Sequence, residues 1–311
     1  MNQERPLIKL YRTRTFSEKM SDTFDFVREN WRPLLKYATY LLLPLALVQN
    51  FVSDSVMTGY ATFTNKAGSF DIDEMLPWLA SMSVMMVFYY IAMMLAESLT
   101  YTMMQQYERR ENRLLGITFA DLRPGILRML GRQLVLIVAG IVVMVLIGAI
   151  GFSLTVINRA LPFIFLVVLV FLLPLIVLLH PVYLFEKIGV VKAYIKSIRL
   201  GWKTWAGIVG VCIVLYVMIC IVQGVISLPW YIMSTVKTLL SAKNSEPAFV
   251  SSFGYTALQY VFGVISTFCG SILEILLVIG IAYQYGHACD KVDGVTVDRD
   301  IENFETLNIE H

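Results

Sequence analysis

Apolar residues along this chain gather into six long runs, at about 34–52, 78–104, 134–157, 161–183, 206–233 and 253–285. At a rise of about 1.5 Å per residue, each can cross a hydrocarbon layer about 30 Å thick, so the pattern predicts six transmembrane helices. Residues 133–186 are apolar almost without interruption, and only the INRALP turn, Asn158 to Pro162, divides them into a tight hairpin. Pro44 is expected to kink the first span.

The intervals between the runs are of two kinds. Residues 53–77 hold Asp54, Asp71, Asp73 and Glu74 against Lys66, and residues 234–252 are polar and Ser-rich with Lys237, Lys243 and Glu246; both read as loops. The intervals before the odd-numbered runs carry apolar side chains at helical spacing instead. Phe16, Met20, Phe24, Val27 and Trp31 form one stripe. Phe119, Leu122, Ile126 and Met129 form a weaker one, interrupted by Pro124 and Gly125. Val191, Tyr194, Ile195, Ile198, Trp202 and Trp205 form the third. Beside the third stripe, roughly 110° round the helix, run Lys192, Lys196, Arg199 and Lys203. A helix lying flat on a membrane would sink these aromatics into lipid and offer its cations to anionic headgroups. An ordinary connecting helix with a solvated basic side is the alternative. Thr15 with Glu18, and Thr118 with Asp121, have the spacing of capping boxes that start the first two of these helices.

The fold class is therefore an all-α integral membrane protein, six transmembrane helices with amphipathic cytosolic helices preceding spans 1, 3 and 5. The chain divides into an N-terminal amphipathic segment (1–32), a six-span membrane domain (33–286) and an acidic cytosolic tail (287–311). The junctions NWRPLL at Asn30, LGRQLV at Leu130 and GWKTWA at Gly201 suggest three copies of one device, a surface helix followed by a transmembrane hairpin.

Composition agrees: 57% of residues are hydrophobic, only 15% are charged, and the mean hydropathy is +0.68. The net charge of +2 hides a segregation. The two terminal segments and the connections after spans two and four hold 21 Lys and Arg; the three opposite loops hold 4. That bias places both termini in the cytosol of a bacterial inner (cytoplasmic) membrane. The cations thus point to lipid as the partner, and no nucleic acid is expected. The polar stretch before the first run lacks the short apolar core of a signal peptide, so the first helix is expected to anchor itself. Cys212, Cys220, Cys269 and Cys289 show no Cys-x-x-Cys spacing, and none falls in a candidate external loop.

Chemistry-bearing residues are few. Glu97 and Glu274 are the carboxylates well inside spans. Burying each costs at least about 2.5 kcal/mol on insertion scales, so each must be protonated, hydrogen-bonded or set in a polar cavity. They are functional candidates, with helix glue as the plain alternative. His180, near the end of span four, is a third intramembrane polar candidate. Gly263, Thr267, Gly270, Ser271 and Glu274 share one face of the last span, as close packing with interhelical hydrogen bonds requires. His180, His287 and His311 do not stand at metal-ligand spacing, and no nucleophile elbow, P-loop or dinucleotide fingerprint occurs. No catalytic residue, metal or cofactor is expected.

The stretch PVYLFEKIGVVKAYIKSIRLGWKTWAGIVG resembles a signature of six-span bacterial families grouped around the membrane domain of glycerophosphoryl diester phosphodiesterase. The matching positions are Pro181, Glu186, Gly189, Ala193, Ser197, Gly201 and Trp202. FDFVRENWRPLLKYATYLLLP and YQYGHACDKVDGVTVDRDIENF resemble that group's entry into span one and its bacterial cytosolic tail. In the phosphodiesterase the chemistry belongs to a separate soluble barrel, so the resemblance implies a membrane module and not an activity. The expected function is a non-enzymatic scaffold, anchor or accessory subunit with a membrane or cytosolic protein partner. The alternative is a transporter or lipid-handling protein using Glu97 and Glu274 in an intramembrane polar cavity.

Overall fold

The computed structural model describes residues 7–65, 72–110, 112–242 and 249–296. Among them the chain is all helical: α1 (Phe16–Asn65), α2 (Ile72–Arg109), α3 (Phe119–Ile157), α4 (Leu161–Val177), α5 (Leu179–Phe185), α6 (Val190–Ala242) and α7 (Phe253–Asp293). Six helical stretches, α4 and α5 together counting as one, are long and apolar enough to cross a membrane. Lys66, Asp71, Lys243 and Glu246 of the expected loops lie outside the described residues, as does the acidic tail from residue 297.

Two helices run on into the intervals that read as loops. α1 continues to Asn65 and α6 to Ala242, while α2 begins at Ile72. Tertiary contact overrides weak local propensity here. Trp78 of α2 stacks on Phe63 at 5.7 Å between ring centroids, and its indole nitrogen donates to the Val56 carbonyl at 3.1 Å.

The breaks in α1 and between α4 and α5 follow proline chemistry, though none falls at Pro44. In α1 the non-helical torsions fall at Asn30 (φ −112°, ψ 16°), three residues before Pro33. Pro33 cannot donate to the Glu29 carbonyl, and its ring crowds that turn. The Asn30 amide then bonds back to the Phe26 carbonyl at 2.9 Å. Pro181 acts in the same way on the Val177 carbonyl, which separates α4 from α5 at Leu178. α6 leaves helical torsions at Thr204 (φ −125°, ψ 20°), whose hydroxyl donates to the Leu200 carbonyl. Both expected capping boxes are present, Thr15 with Glu18 and Thr118 with Asp121.

The chain forms two compact units. The first comprises residues 1–31, 98–215 and 276–311, and the second residues 32–97 and 216–275. In the first, every residue of α2 from Ser98 to Met104 is buried, so this segment is a core element covered on all sides. Around it, Ala193, Ser197 and Leu200 of α6 and Leu122, Ile126 and Met129 of α3 turn inward. Gly201 lies so close to α4 that a β-carbon there would meet the Leu175 Cα at 2.7 Å, and Ser197 donates to the Leu175 carbonyl at 2.7 Å. By contrast the α3–α4 hairpin leaves Met144, Phe152, Phe163 and Val167 about 70% uncovered by protein, a surface only an apolar environment would tolerate.

In the second unit, α1, α6 and α7 are joined by polar side chains within apolar helices. Asn50 donates to Thr267 at 2.8 Å, and Gln223 donates to the Ser227 and Ser266 hydroxyls at 3.0 and 3.2 Å. Gly263 and Gly270 make room, the first against Asn50 and Trp230 and the second against Gln223. The shared face predicted for α7 is thus a packing face.

Candidate functional site

Polar groups in the first unit gather where the chain before α1 meets the last turns of α7. This N-terminal strap, residues 7–14, is held along its length. Leu10 donates its backbone N–H to Glu108, and its carbonyl occupies the space a side chain at Gly286 would need. The Tyr11 hydroxyl lies 3.3 Å from that of Tyr285, and the Arg14 backbone N–H donates to His287 Nδ1 at 2.9 Å. Burial pushes the Tyr11 phenol up to about 12, outweighing the pull of its contact with Tyr285.

Arg14 is the anchor. Its side chain is wholly buried, yet its donors reach Asp22 Oδ2 at 2.6 Å and the carbonyls of Leu10, Arg12 and Lys9, and its plane lies over the Tyr283 ring at 4.8 Å. A guanidinium can be buried only when paired and hydrogen-bonded in this way.

A second knot ties α6 to α7 and to the segment after α5. Lys196 Nζ bridges Glu186 at 2.8 Å and Asp293 at 3.1 Å. Arg199 pairs with Asp293 at 2.5 Å, and the Tyr285 hydroxyl donates to Glu186 at 2.8 Å. Arg132 of α3 donates to the carbonyls of Glu186 and Ile188 and lies over the Tyr183 ring. A third, smaller knot holds Glu29 of α1 to Tyr107 and Arg113; Arg113 is the one described non-glycine residue with positive φ, at 54°.

The residues singled out in the sequence are dispersed by comparison. Glu274, in the second unit, accepts from the Tyr89 hydroxyl at 3.0 Å. Glu97 of α2 is buried in the same unit, and His180 is half-buried on α5 in the first. Of the four cations on α6, Lys196 and Arg199 meet at Asp293, while Lys192 and Lys203 stand exposed. The apolar stripe next to them is outward: Val191, Ile195 and Trp202 are each about two-thirds uncovered.

Arg14, Asp22, Tyr285, His287 and Asp293 carry this end of the molecule and carry no local motif. Their partners stand up to 274 residues away. No family model, curated protein or solved structure matches the chain.

Proposed function

We propose that this chain is a non-enzymatic, multi-pass protein of the bacterial inner membrane that acts as a scaffold, anchor or accessory subunit for a membrane or cytosolic protein partner. Both termini are cytosolic, and the entry segments of α1 and α6 lie in the membrane surface. The observation that carries this reading is the division of faces on α6. Ala193, Ser197, Leu200 and Gly201 are buried in protein, whereas Val191, Ile195, Ile198 and Trp202 are bare and flanked by Lys192 and Lys203. An apolar face with cations at its edge fits an anionic bilayer surface. The asymmetry of Lys and Arg along the sequence supports the orientation.

Near such a surface each exposed cation contributes about 1 kcal/mol, so Lys192 and Lys203 hold the helix flat without selecting one lipid species. Arg199, with over half its side chain exposed, reaches the same surface; Lys196 is largely committed to its two carboxylates. The resemblance to a phosphodiesterase membrane domain supports the module role.

Spin labels at positions 191 and 202, read in anionic vesicles by oxygen against water-soluble relaxants, test the docking. Wild-type labels should be immersed, and Lys192→Glu with Lys203→Glu should lift them toward water. Labels that are equally immersed in the double variant would sink the electrostatic part, and labels that face water in the wild type would sink the surface helix itself.

A further inference from the structure

Beside the strap, three helices of the first unit bring polar groups together at one glycine. A β-carbon placed on Gly207 of α6 would meet Gln284 Nε2 at 3.1 Å, Gln284 Oε1 at 3.3 Å and Lys19 Nζ at 3.3 Å. Gln284 belongs to α7 and is 1% exposed; Lys19 belongs to the first turns of α1 and is 4% exposed. Both ends of the Gln284 amide are buried with no hydrogen-bond partner among the described residues. Orphaning such a group costs about 1–3 kcal/mol, which sequences avoid unless something answers it.

Charge points the same way. Among the described residues no carboxylate pairs with Lys19: Asp22, one turn on, is taken by Arg14, and Asp290 accepts from Thr296. The charges that bear most on Lys19 are those of Lys291 and Arg14, both positive. A buried cation in a positive field calls for an anion. The amide adds a second requirement. Whichever way it is turned, one end donates and the other accepts, so the group that satisfies it carries both an anionic oxygen and a hydrogen-bond donor.

We infer that Lys19, Gln284 and Gly207 form a binding site for one phosphate group that carries its own donor. Lys19 and the amide nitrogen hold phosphate oxygens, and the amide oxygen accepts from a hydroxyl or ammonium. A protonated inorganic phosphate meets this description, and so does a phospholipid headgroup ending in glycerol or ethanolamine. The missing side chain at Gly207 lets the polar ends approach the α6 backbone. One turn on, Phe16 lies against Gly210 with nearly half its surface bare, an apolar wall next to the polar notch. The lipid source rests on the membrane-surface reading above; the inorganic source does not.

The test uses the full chain purified in mild detergent. Native mass spectrometry after incubation with phosphatidylglycerol, phosphatidylethanolamine or phosphatidylcholine reads lipid retention, and phosphorus NMR of delipidated protein titrated with inorganic phosphate reads the free anion. The wild type should hold one phosphatidylglycerol or phosphatidylethanolamine per chain in preference to phosphatidylcholine, whose headgroup has no donor. Binding of inorganic phosphate alone would assign the same site to the free ion. Lys19→Gln should weaken binding at least about tenfold, the loss expected for one charged hydrogen bond. Gly207→Ala should do the same by filling the notch, and Lys19→Arg should retain most of it. A wild type that holds neither ligand, or variants that hold as much as the wild type, would overturn the proposal. Immersion of the labels on α6 is read separately, so the surface reading and this site fail independently.

Discussion

The first turns of α6 and of α3 carry the same kind of sequence, apolar residues at helical spacing flanked by cations, and use it in opposite ways. On α3 the apolar stripe goes inward from its second member: Leu122, Ile126 and Met129 are buried, while Phe119 at its start, Arg123 and Arg128 face out. On α6 the aromatic and aliphatic stripe stays outside, and the buried line is Ala193, Ser197, Leu200 and Gly201. α1 follows α6. Its buried line is Lys19, Thr23, Phe26 and Asn30, with Phe16, Phe24 and Trp31 left outside. In water only the α3 arrangement is stable, because burying an apolar face is what drives packing. Where lipid covers the outside, a helix can pack through small and hydrogen-bonding residues and leave its large apolar ones to the bilayer. The difference teaches which face to read: on α1 and α6 packing is written in the line of small and polar positions around one large apolar residue, Phe26 or Leu200.

The sharpest way to break this comparison is Gly201→Leu. With the Leu175 backbone 2.7 Å from the added β-carbon, α6 cannot keep its place, and the folded peak in detergent size-exclusion chromatography should be lost. A normal elution profile would show that the buried line on α6 is wrongly assigned. Leu122→Ala comes next. Its side chain is fully buried, so truncation should cost about 2–5 kcal/mol in a denaturant titration; a near-neutral result would move the α3 stripe to the outside. Trp202→Ala sharpens the other half. With two-thirds of the indole uncovered, stability should change by less than about 0.5 kcal/mol, while a spin label at position 191 should sit shallower in anionic vesicles. A large loss of stability there would make Trp202 a packing residue after all.

Much of the fold was legible because the signals are local. Run length marks the six long helices, and Thr15 and Thr118 with their carboxylates mark two helix starts. The helix ends at Asn65 and Ala242 were not legible: Ser, Thr and Asn read as turn residues until a distant partner such as Trp78 holds the helix on. The proline signal was misleading in one respect, since Pro44 passes without non-helical torsions while Pro33 disrupts the turn before it. At the candidate site legibility was lowest. Lys196 was visible as one of four cations on a face, but nothing nearby says that Glu186 and Asp293 would claim it. Gln284 is an unremarked polar residue at the end of an apolar run until three helices isolate it.

The strap has a consequence for how the protein is made. Tyr11 and Arg14 leave the ribosome more than 270 residues before Tyr285 and His287, the groups they rest on. Until the last span has been threaded, the buried guanidinium of Arg14 lacks the Tyr283 ring over which it finally lies. Closing contacts across so long a stretch of chain is slow, and it waits on everything in between. The strap is therefore synthesised long before the groups it docks on and is among the last segments to dock, so its protection from protease reports completed insertion of α7.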